Sequence, residues 1–391
     1  MPPETLEYAL FPREEMESRY ARARDHMARL HIDALLISGE ENFQYFAGTT
    51  ASLARHQSLT RPSVFILPLA GKPTIITQGR DNLEAGSYVA DIRDYTALIN
   101  FPHQVIIEAL QDAGLAHKRI GVELGQEQRM GLPVGAYVDL LAALPQAEFV
   151  DAAAIFIALR MVKSSRELAF MRTAAAITDR ARQRLFDQLE PGLTERQVAR
   201  LVRQLILEEG GDDTSFVILQ SGPPGGGNPF HYDRPLEKDT VLAVDTGACV
   251  GMYTIDYPRM AVLGKVREHH RRVHDAALEV KDKIAASFKP GIRCSDLHRL
   301  GMEAGAAIQA RCGDLEPMPQ VRIGHGQGML LTEPPSICAD DHTVLEVGMV
   351  LSSEPGMRCG GLQFLCEDVY VITAEGSEKL TLETNELREI V

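Results

Sequence analysis

The chain has 391 residues, 45% hydrophobic and 24% charged; this is the balance of an ordinary water-soluble protein, and the length exceeds what one core usually supports, so two domains are expected. A formal net charge of −14 argues against a general affinity for nucleic acid, because nonspecific binding needs clustered Lys and Arg to displace counterions from phosphates. A small-molecule or short-peptide ligand is therefore expected.

The opening stretch MPPETLEYALFPREEMESRY has acids early and no apolar core behind a basic region, unlike a secretory leader. No apolar run approaches the roughly 20 residues needed to span a bilayer, so no membrane role is expected. RYARARDHMARLHI reads as a basic amphipathic helix and DALLIS as a buried strand. TTASLARHQSLTRP, with Arg55, His56 and Arg61, reads as a surface loop. VFILP and PTIIT form a strand pair around Gly71-Lys72, and RIGVEL a further strand, completing a small α/β domain. A long helix follows, with Ser164 and Glu167 in capping-box spacing and Pro191-Gly192 as its end. These signals divide the chain into an N-terminal domain, 1–158, and a second domain, 159–391.

The second part carries an imperfect repeat. A helix ends in EPG at 190–192 and another begins at Thr194; later a helix ends in KPG at 289–291 and another begins near Ser295. A glycine-rich segment with a histidine follows each pair (GPPGGGNPFHY, then IGHGQGM), and then an apolar run ending in an acid. Between the two, REHHRRVHD at 267–275 reads as a solvated helix face, since its bases alternate with acids. GPPGGGNP lacks the lysine and following helix of a phosphate cradle. All six cysteines (249, 294, 312, 338, 359, 366) lie in this part without C-x-x-C spacing, and free thiols in a reducing cytoplasm are the simplest reading.

VDTGACVGMYTID reads as a hairpin with Val250-Gly251 at its turn, so that Cys249 faces Met252 and Asp245 faces Asp256. VLSSEPGMRCGGLQFLCED, with Gly360-Gly361 at the turn, sets Glu354 opposite Glu367, with a bulge expected at Pro355-Gly356. If the two ribbons pack face to face, four carboxylates converge, which is untenable without compensation. Two divalent cations would balance them in charge. Carboxylates with one imidazole suit manganese, with iron, cobalt or zinc as alternatives, and His325, between glycines, is the nitrogen ligand to expect. Such a centre activates a bridging water and polarises a carbonyl, which is hydrolysis at neutral pH.

The hairpin of 241–259, GHGQG at 324–328, SSEPGM at 352–357 and CEDVYVIT at 366–373 resemble the pita-bread metallohydrolases, which include methionine aminopeptidase, aminopeptidase P, prolidase and creatinase. The resemblance covers residues 160–391, and IDALLISGEENFQYFAGT resembles the start of the creatinase-type amino-terminal domain. It implies an α+β fold: an N-terminal creatinase-like α/β domain, then a duplicated pita-bread domain with a curved antiparallel sheet flanked by helices. It also implies the metal ligands Asp245, Asp256, His325, Glu354 and Glu367, with Glu354 as proton shuttle and His231 as a catalytic substrate contact. A homodimer is implied, in which the region of Arg55, His56 and Arg61 reaches the partner's active site.

Two positions depart from the pattern. Thr332, a substrate-contact position, stands where the family's peptidases carry a histidine, and its hydroxyl can donate one hydrogen bond but cannot titrate as an imidazole does. Leu365 stands where many members have an arginine. An Xaa-Pro peptidase is the leading expectation. The alternatives are a non-peptidase of the same fold (creatinase-, ectoine hydrolase- or dimethylsulfoniopropionate lyase-like) and a metal-free binding module; the five intact ligands argue against the second and against a metal-free creatinase mechanism.

Overall fold

Met16, Tyr20, Ala23 and Met27 recur at helical spacing and are the buried face of α1 (Arg13–Arg29), the first element of the computed structural model. The structure describes residues 9–49, 61–84, 86–222 and 233–391, which fall into two compact units, one ending at Arg160 and the other starting at Met161.

In the first unit α1 is followed by β1 (Ala34–Ile37), α2 (Glu40–Ala47), β2 (Val64–Pro68), β3 (Thr74–Thr77), α3 (Arg80–Glu84) and β4 (Asp91–Asp94). Then come α4 (His103–Asp112), β5 (Arg119–Val122), α5 (Val134–Ala143), β6 (Glu148–Asp151) and α6 (Ala153–Met161), whose last residue begins the next unit. The strands form one mixed sheet in the order β4-β3-β2-β1-β5-β6. β2 and β3 pair antiparallel with Phe65 opposite Ile75, as the strand pair around Gly71-Lys72 predicts. Ala34, Leu36, Ile66, Ile76, Ile120 and Val122 put one sheet face into the core under α4 and α5.

The second unit opens with α7 (Ser165–Phe186). Its capping box is formed: Glu167 N donates to Ser164 Oγ at 3.2 Å, and Ser164 N to Glu167 Oε2 at 2.6 Å. The helix stops at Phe186, ahead of Pro191-Gly192. After it come α8 (Glu195–Glu208), β7 (Asp213–Ser221), β8 (Val241–Val250), β9 (Tyr253–Thr254) and β10 (Tyr257–Leu263). A second helix pair, α9 (Glu268–Ala285) and α10 (Cys294–Cys312), precedes β11 (Glu316–Pro317), β12 (His325–Gly326), β13 (Glu333–Ser336), β14 (Val350–Ser353) and β15 (Gly356–Cys359). The chain closes with β16 (Leu362–Leu365), β17 (Asp368–Ile372), β18 (Ser377–Lys379) and β19 (Arg388–Ile390). The strands make three sheets, ordered β19-β10-β8-β7 with β9 on β8, β11-β15-β16, and β13-β12-β14-β17-β18. Pairing within them is antiparallel except between β10 and β19.

Val273, Ala277, Val280 and Ile284 of α9 and Leu297 and Ile308 of α10 pack with Leu351, Phe364 and Ile372 of the strands. Each fully buried Ile, Leu or Phe there contributes roughly 1.5–3 kcal/mol. The solvated-face reading of 267–275 needs correction: His270 and His274 are buried, and His274 packs edge-on against Phe364 with ring centroids 5.8 Å apart. The α+β class and the two distinct domains stand.

The second ribbon has the expected register. Cys359 faces Leu362 across Gly360-Gly361, and Ser353 faces Asp368, so Glu354 and Glu367 occupy matching places where the strands part. Pro355 interrupts the strand without a register shift, so no bulge forms there. The first ribbon differs. Gly251 and Met252 make the turn, Val250 faces Tyr253, and Asp245 lies opposite Pro258, not Asp256.

Candidate metal centre

Asp245 comes from β8, Asp256 from the break between β9 and β10, His325 from β12, and Glu354 and Glu367 from the paired breaks after β14 and before β17. A turn displaced by one residue moves opposed positions by two, and side chains alternate with period two, so both aspartates still share a face. The two carboxyl groups are close enough for each to act on the other's charge. One donor atom from each of Asp256, His325 and Glu367 lies within 4.8 Å of the other two. His325 Nε2 is 3.7 Å from Asp256 Oδ2 and 3.8 Å from Glu354 Oε2.

Local sequence explains this assembly. Gly324 and Gly326 let the backbone run against its neighbours, since a Cβ would lie 2.2 Å from Ser352 O at the first and 2.4 Å from Pro334 O at the second. The close approach is thus to adjoining strands. Gly247 does the same for the first ribbon: a Cβ there would lie 1.7 Å from Ile255 O. Ser352, fully buried, accepts from His325 N at 3.2 Å.

The electrostatics call for the acids' charge to be compensated. Burial pushes the Asp245 carboxyl up to about 6; burial and the nearby Asp245 charge push Glu354 up to about 8. Asp256 and Glu367 are raised well above the usual range, first by burial and then by neighbouring acids. The opposing positive charges, Arg182 near Asp245 and Arg322 near Asp256 and Glu354, do not offset this. His325 does not help either. Its Nδ1 sits 3.0 Å from Gly326 O, which can only accept, so Nδ1 carries the hydrogen. Burial lowers the ring to about 4, leaving it neutral with the Nε2 lone pair facing acids. Asp245 Oδ1 and Asp256 Oδ1 are buried with no hydrogen-bond partner among the described residues. Hard oxygen donors, one imidazole lone pair and orphaned buried oxygens fit divalent metal ions.

Not every expected residue joins the cluster. Thr332 is half-buried in the loop before β13, and no hydrogen bond links its side chain to the acids among the described residues. Leu365, half-buried, faces Gly356 across the second ribbon. His231, Arg55 and His56 lie outside the described residues, whereas Arg61 is described and half-buried.

Sequence reasoning missed the residues that brace the centre. Arg259 Nη1 donates to Pro258 O at 2.9 Å and Glu367 O at 2.8 Å, and Nη2 donates to Asp368 Oδ1 at 2.8 Å. Asp368 also accepts from Lys281, Thr381 and Asn385. The available signal was the acid pair Glu367-Asp368, in which the second acid faces away from the first, into buried cations.

Comparison with known proteins agrees with this geometry. Residues 169–374 match metallopeptidase family M24, and residues 19–162 match the creatinase/prolidase N-terminal domain. An Xaa-Pro dipeptidase of Pyrococcus horikoshii is 27% identical over 381 residues, covering 95% of this chain and 99% of that protein. Among solved structures, an Xaa-Pro dipeptidase from Bacillus anthracis superimposes with a TM-score of 0.81 at 22% identity, covering 96% of this chain and 99% of that one. An X-Pro aminopeptidase from Thermotoga maritima gives 0.79 at 22% identity, with 95% and 99% coverage. At such identities the superpositions establish the fold alone. With the acid and imidazole cluster seated inside the matched segment, the chain belongs to metallopeptidase family M24, the pita-bread metallohydrolases, and is a metal-dependent hydrolase.

Proposed function

We propose that the protein is an Xaa-Pro peptidase that works with two divalent cations, manganese first among them, held by Asp245, Asp256, His325, Glu354 and Glu367. The observation that carries this reading is the convergence of Asp256, Glu354 and Glu367 on a neutral imidazole, with Asp245 beside Asp256. The names of the Pyrococcus, Bacillus and Thermotoga relatives support the substrate class.

When bound, the cations would polarise the scissile carbonyl and bring a water's pKa toward neutrality. Glu354, whose side chain is 19% exposed, is the acid proposed to take a proton and return it to the leaving nitrogen. His325 stays unprotonated, with its ring fixed by the Nδ1 contact. His231 is proposed as a substrate contact; His231→Ala should retain metal and lose kcat/KM, and an unchanged kcat/KM would remove it from the reaction.

Thr332 and Leu365 favour a second reading, a non-peptidase of the same fold acting on a small molecule. The test is elemental analysis, followed by a panel of Xaa-Pro dipeptides, longer Xaa-Pro peptides, and small amidines and betaines. About two metal equivalents per chain with Xaa-Pro turnover supports the first reading, turnover of amidines or betaines alone supports the second, and absence of metal after supplementation sinks both. A homodimer in a reducing cytoplasm completes the proposal. The frequency of twofold assemblies and the six free cysteines support it, and light scattering tests the dimer.

A further inference from the structure

Gln327 is fully buried between two of the proposed ligands. Its Nε2 donates to Asp256 O at 2.8 Å and, at the long end of hydrogen bonding, to Glu367 Oε1 at 3.5 Å. A carbonyl and a carboxylate both accept, so chemistry alone orients the amide with its NH2 toward them. One contact is to the first ribbon and the other to the second. The backbone around it is tied to both as well: Gly326 pairs with Leu351 of β14, and Gly328 O accepts from Thr254 N at 2.8 Å and Thr254 Oγ1 at 3.0 Å.

A purely structural amide would use both ends. Here Oε1 is buried with no hydrogen-bond partner among the described residues, a costly arrangement that a similar-sized apolar side chain would avoid. We infer that Gln327 is a positioning residue for the metal centre: it bridges the two ribbons, holds the Glu367 carboxylate in its ligating orientation, and presents a free acceptor to a water or substrate N–H. This rests on the metal reading above.

The test is Mn2+ binding to metal-stripped protein by isothermal titration calorimetry, for wild type, Gln327→Met and Gln327→Asn, with folding checked by circular dichroism. Met keeps the volume and removes the donor, while Asn keeps the amide and withdraws it by one methylene. Both folded variants should bind Mn2+ about 10- to 100-fold more weakly, the usual effect of losing a residue that orients a metal ligand. A wild-type Kd in either folded variant overturns the positioning role, even if its melting temperature falls. Failure of both to fold assigns Gln327 to the scaffold and overturns the role too. Wild type that binds no Mn2+ would instead sink the metal reading, so the two failures are distinguishable.

Discussion

His325 decides how the acids around it behave. Donating Nδ1–H to Gly326 O and buried enough to stay neutral, it offers a lone pair where a charged imidazolium would have paired with Asp256 and Glu354. Compensation must therefore come from protons or metal ions. Thr332 poses the complementary question, because a threonine hydroxyl is a weaker transition-state donor than an imidazole placed for the task. Loss of one such donor costs about 2.7–4 kcal/mol, or roughly 100- to 1,000-fold in rate. Thr332→His is expected to raise Xaa-Pro dipeptide turnover by at least about tenfold, a part of that range. A folded, metal-loaded variant with no gain would show that Thr332 is not what sets the peptidase rate.

At the scale of elements, each ribbon's turn chemistry determines where its acids lie. Gly251 and Met252 take φ of 55° and 74°, as a tight two-residue turn requires. Val250 is β-branched and disfavours that region, so glycine takes the first central place and Met252 the second. Below the turn, Gly247 leaves room for the Ile255 carbonyl, and Asp256 follows directly. Gly247→Ala would drive a methyl into that carbonyl and push Asp256 away from His325. We expect at least about 2 kcal/mol of destabilisation, in the range of overpacked sites, together with lost metal. Urea unfolding and metal analysis check this, and full metal retention would detach Gly247 from the centre.

For the catalytic unit as a whole, the buried charges are of two kinds. Asp368 is surrounded by Arg259, Lys281 and Lys379, which hold its carboxyl below the usual range despite burial. The four acids at the centre lack such partners and are raised. Each raised group binds more protons folded than unfolded between its two pKa values, so stability falls as pH rises through that interval. For Asp245 and Glu354 the interval runs from near 4 to about 8. Metal-free protein should lose melting temperature steadily across it, and added Mn2+ should restore it most at pH 8 and least at pH 5, where protons compete with the metal. A flat or rising metal-free profile would contradict the unpaired-acid picture.

Much of this was legible in the chain itself. Capping boxes, period-two alternation and the repeated helix pairs are local signals, and Gly360-Gly361 marks the second ribbon's turn, although the bulge expected at Pro355-Gly356 does not form. At the first turn the Val-Gly-Met sequence also carried a local signal, since β-branched Val250 disfavours the positive φ that a Val250-Gly251 turn would need. What the sequence determined was the proposed donor set and the sheet face each acid shares, because side-chain alternation survives a shift of two. Only the tertiary structure decided that the ribbons meet, that His325 is neutral there, and that Gln327 and Arg259 cross-tie them. Those contacts join residues roughly 40 to 110 positions apart, and no local periodicity encodes pairing over such distances.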